Sequence, residues 1–215
     1  MEIKGAIFDM DGTLLDTEKL YTKFWAQAAV DCGYDMKPED ALSLRSLGKN
    51  DTIAKFKSFF GDLFKYDPVY NRRVELMEKF IEENGVELKK GAAEILTYLK
   101  ENGYKIALAT SSPYERAVKQ LSSVGILGFF DGFACGPMVK KGKPAPDIYL
   151  LAAKKIGLQP HQCIAVEDSP TGIMSAKNAG CKPVLVPDLD EPDPQIRELL
   201  FACCESLDKI RDILV

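Results

Sequence analysis

The sequence predicts an open α/β fold, a parallel-sheet core carrying an inserted α-helical cap, and three observations predict it. Short, largely apolar runs of strand length recur at Ile3 to Phe8, Lys105 to Ala109, Gly132 to Cys135, Cys163 to Val166 and Pro183 to Val186. From about residue 90 these runs alternate with helical patterns, which implies parallel strands joined by helices on both faces of a sheet. Residues 17 to about 85 break that rhythm, because they hold helical stretches and no convincing strand.

The elements follow in order. The first apolar run ends in the polar sequence Asp9-Met10-Asp11-Gly12-Thr13. Leu20, Tyr21, Phe24, Trp25, Ala28 and Cys32 then make one apolar helical stripe, and Val69, Val74, Met77 and Ile81 make another, beginning at Pro68 and ended by Gly85. Tyr21 and Trp25 are expected to pack inside this helical segment. Beyond it, Ala92, Ile95, Leu96 and Leu99 precede Gly103, Ala117, Val118 and Leu121 precede Gly125, and Ile148, Leu151, Ala152 and Lys155 precede Gly157. The acidic, proline-containing stretch from Pro187 to Pro194 is expected to be a surface loop. With 215 residues the chain is long for one ordinary domain, so residues 1–16 and 86–215 are assigned to the core and 17–85 to the cap.

Composition narrows the function classes. An apolar fraction of 46% and a charged fraction of 28% suit a globular protein and exclude fibrous or disordered readings. A formal net charge of −4 argues against a nucleic-acid partner, which needs clustered Lys and Arg. No apolar run approaches membrane-spanning length and no basic-then-apolar leader precedes the first strand, so a cytoplasmic location without membrane association is expected. The six cysteines show no C-x-x-C pairing, and reduced core thiols are expected of them. A redox or metal role for Cys203-Cys204 has no nearby His or Cys to support it.

In an open parallel sheet, ligands bind outside the carboxyl ends of the strands. Asp9, Thr110 and Glu167-Asp168 each fall where an apolar run stops, and Gly142-Lys143-Pro144 lies in a loop after another. These residue types suit phosphoryl transfer. Asp9 would be the carboxylate nucleophile, splitting one hard step into two easier ones through an aspartyl-phosphate. Mg2+, a hard cation preferring oxygen, would be held by Asp9, Asp168 and the Asp11 backbone carbonyl, with Glu167 as a further ligand candidate. Lys143 would place a point charge on phosphoryl oxygens. Asp11, two residues after Asp9, would reach the same site and act as general acid and base.

Thr110 offers a hydroxyl to the phosphate, and Ser111-Ser112-Pro113 resembles a helix cap followed by proline, a start that attracts anions through amides near Thr110 and Ser111. Ser169-Pro170 repeats that arrangement. The single histidine, His161, lies before a strand and therefore opposite the ligand side, where a structural role is expected. Arg45 and Lys49, flanking Gly48, are candidates for binding a polar or anionic part of the substrate.

With Asp9-Met10-Asp11-Gly12-Thr13, Thr110, Lys143 and Glu167-Asp168 in this order, essentially the whole chain resembles the haloacid dehalogenase superfamily of phosphatases. Gly142-Lys143-Pro144-Ala145-Pro146-Asp147 and Val166-Glu167-Asp168-Ser169 are similar to its branch containing β-phosphoglucomutase and sugar-phosphate phosphatases. The resemblance implies a Rossmann-like core, a small helical cap, Mg2+, and an aspartyl-phosphate on Asp9. Asp11 sets the chain apart from the dehalogenases and phosphonoacetaldehyde hydrolases, which lack that second aspartate. Tyr21 stands where β-phosphoglucomutase-like proteins typically carry a histidine, which disfavours a mutase.

The leading expectation is a phosphomonoesterase for small phosphorylated metabolites, acting as a monomer or weak homodimer. A β-phosphoglucomutase-type phosphomutase is the alternative. A non-catalytic interaction protein is a third reading, opposed by the complete set Asp9, Asp11, Lys143 and Asp168.

Overall fold

The computed structural model describes residues 2–45, 47–187 and 194–214. The chain divides into two compact units, Met1–Asp16 with Glu87–Val215, and Thr17–Val86.

The first unit is built on a six-stranded parallel sheet in the order β3-β2-β1-β4-β5-β6. Its strands are β1 (Gly5–Phe8), β2 (Lys105–Thr110), β3 (Gly132–Cys135), β4 (Cys163–Glu167), β5 (Lys182–Leu185) and β6 (Ala202–Cys203). That order is the doubly wound arrangement, whose strand sequence reverses direction between β1 and β4 and opens a crevice at their carboxyl ends. Register fixes what meets there. Phe8 pairs with both Leu108 and Val166, so Asp9 leaves β1 level with the end of β4, and its amide donates to the Val166 carbonyl at 3.0 Å.

Five of the strands were expected from apolar runs, whereas β6 was not. Its two residues are too short for any periodicity to register, and it exists by pairing with β5. The stretch expected to form a surface loop lies mostly outside the described residues, at positions 188–193.

Helices α5 (Ala92–Glu101), α6 (Tyr114–Ser123), α7 (Asp147–Lys155) and α8 (Pro170–Ala179) cross between the strands. Their apolar stripes cover the sheet: Ile148, Tyr149, Ala152 and Ala153 of α7 pack with Ile7, Ala107, Ala109 and Ala165 in one buried cluster. A short helix, Pro194–Arg197, precedes β6. Among the described residues no helix is long and apolar enough to cross a membrane.

Among the described residues the second unit contains four helices, α1 (Glu18–Asp31), α2 (Pro38–Leu42), α3 (Lys49–Phe60) and α4 (Tyr66–Asn84), the last starting ahead of the expected Pro68 and closed by Gly85. Trp25, Met36, Leu44, Phe56, Phe64 and Val69 form its core, with the Phe56 and Phe64 rings stacked 4.6 Å apart. Trp25 is buried and Tyr21 half-buried. Arg73 occupies the apolar stripe of the last helix. Only 4% exposed, its guanidinium lies over the rings of Tyr21, Trp25 and Tyr70 at 4.5, 4.6 and 5.0 Å.

Candidate active site

The site forms where β1 and β4 end. Side chains alternate along a strand, so Asp9, two residues beyond Ile7, and Glu167, two beyond Ala165, are carried toward the same α7-covered face. Asp168 follows the last residue of β4 and is half-buried, whereas Glu167 is fully buried.

Lys143 joins the two carboxylates. Its Nζ donates to Asp9 Oδ1 at 2.5 Å and to Glu167 Oε1 at 2.6 Å, with Lys143 itself almost enclosed. Burial alone would lower the lysine, but the adjacent Asp9 and Glu167 carboxylates outweigh it and hold the ammonium above its ordinary value. Asp9 has the opposite balance. Burial pushes its carboxyl up to about 8 against the lowering pull of Lys143, and Glu167 and Asp11 add to the rise.

Glu167 occupies a closed setting. Its Oε1 also accepts from the Tyr149 hydroxyl at 2.6 Å, and its Oε2 accepts from Ser169 Oγ at 3.2 Å. Gly172, in the first turn of α8, lies against this carboxylate so closely that a Cβ there would fall on it. Ser169 caps α8 as expected, accepting from the Gly172 amide at 3.2 Å with Pro170 following it.

Asp11 is held by a different set of partners. The strand ends at Phe8, so strand alternation does not carry Asp11 to the site; Gly12 at φ 87° instead turns the chain, and its amide bonds the Leu15 carbonyl at 2.9 Å. The Asp11 carboxylate accepts from Ser112 Oγ at 3.0 Å and faces Arg116 of α6 at 3.5 Å. Ser112 differs from the helix cap that Ser111-Ser112-Pro113 suggests. Its amide donates to Thr110 Oγ1 at 3.0 Å and its hydroxyl to Asp11, so Pro113 becomes the capping position and α6 begins at Tyr114. Thr110 is buried at the end of β2, whereas Ser111 is exposed.

Carboxylate oxygens of Asp9, Glu167 and Asp168 lie within 4.8 Å of one another. This all-oxygen donor set fits a hard divalent cation such as Mg2+. Thr13 Oγ1 donates to Asp168 Oδ1 at 3.1 Å and orients that side chain. His161 is exposed in the turn before β4, at the far end of the strand from Glu167.

Arg45 and Lys49 belong to the second unit. Arg45 Nε donates to Thr22 Oγ1 at 3.3 Å, and Lys49 Nζ lies 4.0 Å from Asp67 and 5.4 Å from the Tyr66 ring centroid. Tyr149, Ser112, Arg116 and Gly172 were not foreseen as site residues. Only Ser112 carried a signal in the sequence, its neighbourhood to Thr110.

Comparison with known proteins gives the family. The haloacid dehalogenase-like hydrolase pattern matches residues 3–180. Hexitol phosphatase A of Escherichia coli is 32% identical, covering 93% of both chains. A phosphorylated carbohydrates phosphatase of Thermotoga maritima is 31% identical over 83% of this chain and 82% of its own. The β-phosphoglucomutase of Clostridium difficile shares the fold with a TM-score of 0.77 at 24% identity, over 97% of this chain and 93% of that one. The chain therefore belongs to the haloacid dehalogenase-like hydrolase family, as an enzyme of its phosphatase class.

Proposed function

We propose that this enzyme is a Mg2+-dependent phosphomonoesterase for small phosphorylated metabolites, sugar phosphates foremost, working through an aspartyl-phosphate on Asp9. The observation that carries the reading is the Lys143 ammonium bridging Asp9 and Glu167 beside Asp168 at the carboxyl edge of the sheet. A carboxylate attacks a phosphate dianion only where positive charge offsets their repulsion, and Lys143 supplies part of that charge.

Asp9 and Asp168, the Asp11 carbonyl, and Glu167 as the more enclosed candidate would hold Mg2+, which when bound supplies further neutralisation of the phosphoryl oxygens. An Asp9 oxygen forms the new bond to phosphorus as the ester oxygen leaves with a proton from Asp11. Asp11, now a carboxylate, takes a proton from water, whose oxygen attacks phosphorus and frees Asp9 and inorganic phosphate. Ser112 and Arg116 fix the Asp11 carboxylate for both transfers. Thr110 and the amides near Ser111 would contact the phosphoryl group, and Arg45 and Lys49 would bind a polar or anionic part of the substrate.

The names of the two carbohydrate-directed relatives support the substrate class. The mutase reading is not favoured. A panel of phosphate esters including hexose and hexitol phosphates, assayed with Mg2+ and with EDTA, tests the proposal. Metal-dependent release of phosphate is expected, and no release from any ester would overturn it. With β-glucose 1-phosphate and a bisphosphate primer, free phosphate rather than isomerised sugar phosphate is expected.

A further inference from the structure

Tyr149 lies on the apolar face of α7, in its first turn, and is fully buried in the cluster that also holds Ala107, Ala109, Ala152 and Ala165. Packing alone would be served by phenylalanine, yet the hydroxyl is aimed at the site and donates to Glu167 Oε1 at 2.6 Å. That oxygen is the one that also receives Lys143 at 2.6 Å, and the same ammonium sits 5.3 Å from the Tyr149 ring centroid. We propose that Tyr149 is a positioning residue, whose hydroxyl holds Glu167 and through it sets how far the Lys143 ammonium is shared with Asp9 and the phosphoryl oxygens. This proposal rests on the phosphoryl-transfer reading of the site.

The geometry gives the direction of the effect. Glu167 Oε1 has two donors, Tyr149 and Lys143, and Oε2 has Ser169. A fully buried carboxylate that loses one donor draws harder on those that remain. With the hydroxyl removed, Lys143 is the sole donor to Oε1 and is pulled toward Glu167, away from Asp9 and from phosphate. Gly172 closes the adjacent wall, so Glu167 cannot relax by shifting toward α8.

The test is calorimetric titration of the full chain with inorganic phosphate in the presence of Mg2+, comparing wild type, Tyr149→Phe, Glu167→Gln and the double variant. Hydrogen bonds to charged groups imply a loss of about tenfold in phosphate affinity for Tyr149→Phe. In the Glu167→Gln background the same change is expected to add less than about twofold, because the carboxylate through which the hydroxyl acts is gone. A purely structural tyrosine would lower Tm without that coupling. Equal affinity in wild type and Tyr149→Phe, or additive losses in the double variant, would overturn the role of Tyr149 while leaving the phosphatase reading intact. Absence of phosphate binding by wild type would instead overturn the reading of the site and this proposal with it. If Tyr149→Phe does not fold, Ser169→Ala removes the second hydroxyl donor to Glu167 and is expected to weaken phosphate binding in the same non-additive way; unchanged affinity there would count against the proposal.

Discussion

At Asp9 two requirements conflict. As the proposed nucleophile it must be ionised, but burial, with Glu167 and Asp11 nearby, pushes its carboxyl up to about 8. The consequence for stability has a definite sign. Between the ordinary carboxylate value of 3.8 and about 8 the folded, metal-free chain keeps a proton on Asp9 that the unfolded chain has lost. This group's contribution is therefore fully present below the unfolded value and is lost as pH rises through the folded one. Asp9→Asn removes that loss. In EDTA its Tm is expected to exceed that of wild type by a margin that widens from pH 5 to pH 8, at about 2–4 °C for each kcal/mol recovered. A margin independent of pH would show that Asp9 is not raised. Because metal ligands must be deprotonated, apparent Mg2+ affinity of wild type is expected to increase over the same interval, as read by titration calorimetry.

At the scale of elements, the close approach of α8 to β4 is the most sensitive contact in the site. Gly172→Ala places a methyl group on the Glu167 carboxylate, and overpacking of this kind costs about 1–3 kcal/mol. The variant is expected to lose activity well beyond its loss in Tm, since the displaced group is the one that holds Lys143; matched wild-type kcat would contradict this.

In the helical unit, Arg73 is a buried cation whose Nε has no hydrogen-bond acceptor among the described residues. Three aromatic faces at about 0.5–2 kcal/mol each offset part of its desolvation. Arg73→Met is accordingly expected to change stability by no more than about 2 kcal/mol, with neutral or stabilising effect, by thermal denaturation. A larger loss would mean that the aromatic cage binds the cation more strongly than these contacts suggest.

The strands, the helices and the placement of Asp9 at the end of β1 were legible because each is a local pattern. Apolar runs gave β1 to β5, and their polar ends gave Asp9, Thr110 and Glu167-Asp168. Tyr149 was hidden because within an apolar helical stripe a tyrosine has the same periodicity as a phenylalanine, and its partner is on another element. Ser112 was assigned to a cap because Ser-Ser-Pro fits that pattern locally, whereas Asp11, which claims its hydroxyl, is distant in sequence.

For the whole molecule, burial sorts the thiols. Cys163 and Cys181 are pushed up to about 12 by burial, and Cys204 to about 11, whereas Cys203 is exposed and Cys32 half-buried. The expectation of uniformly buried thiols thus fails at Cys203, which projects from the edge strand β6. Native protein treated with iodoacetamide at pH 8 is expected to be alkylated at Cys203, more slowly at Cys32, and at the others only after unfolding. Rapid native labelling of Cys163 would contradict the packing of the sheet.

Phosphorylation of Asp9 is the central step of the proposed reaction. Wild-type protein mixed with substrate and Mg2+, quenched in acid within one turnover and digested, is predicted to yield a phosphoryl group on the peptide containing Asp9, with none in Asp9→Asn. Steady release of phosphate by Asp9→Asn at the wild-type rate, or a phosphoryl group trapped on another residue, would contradict it.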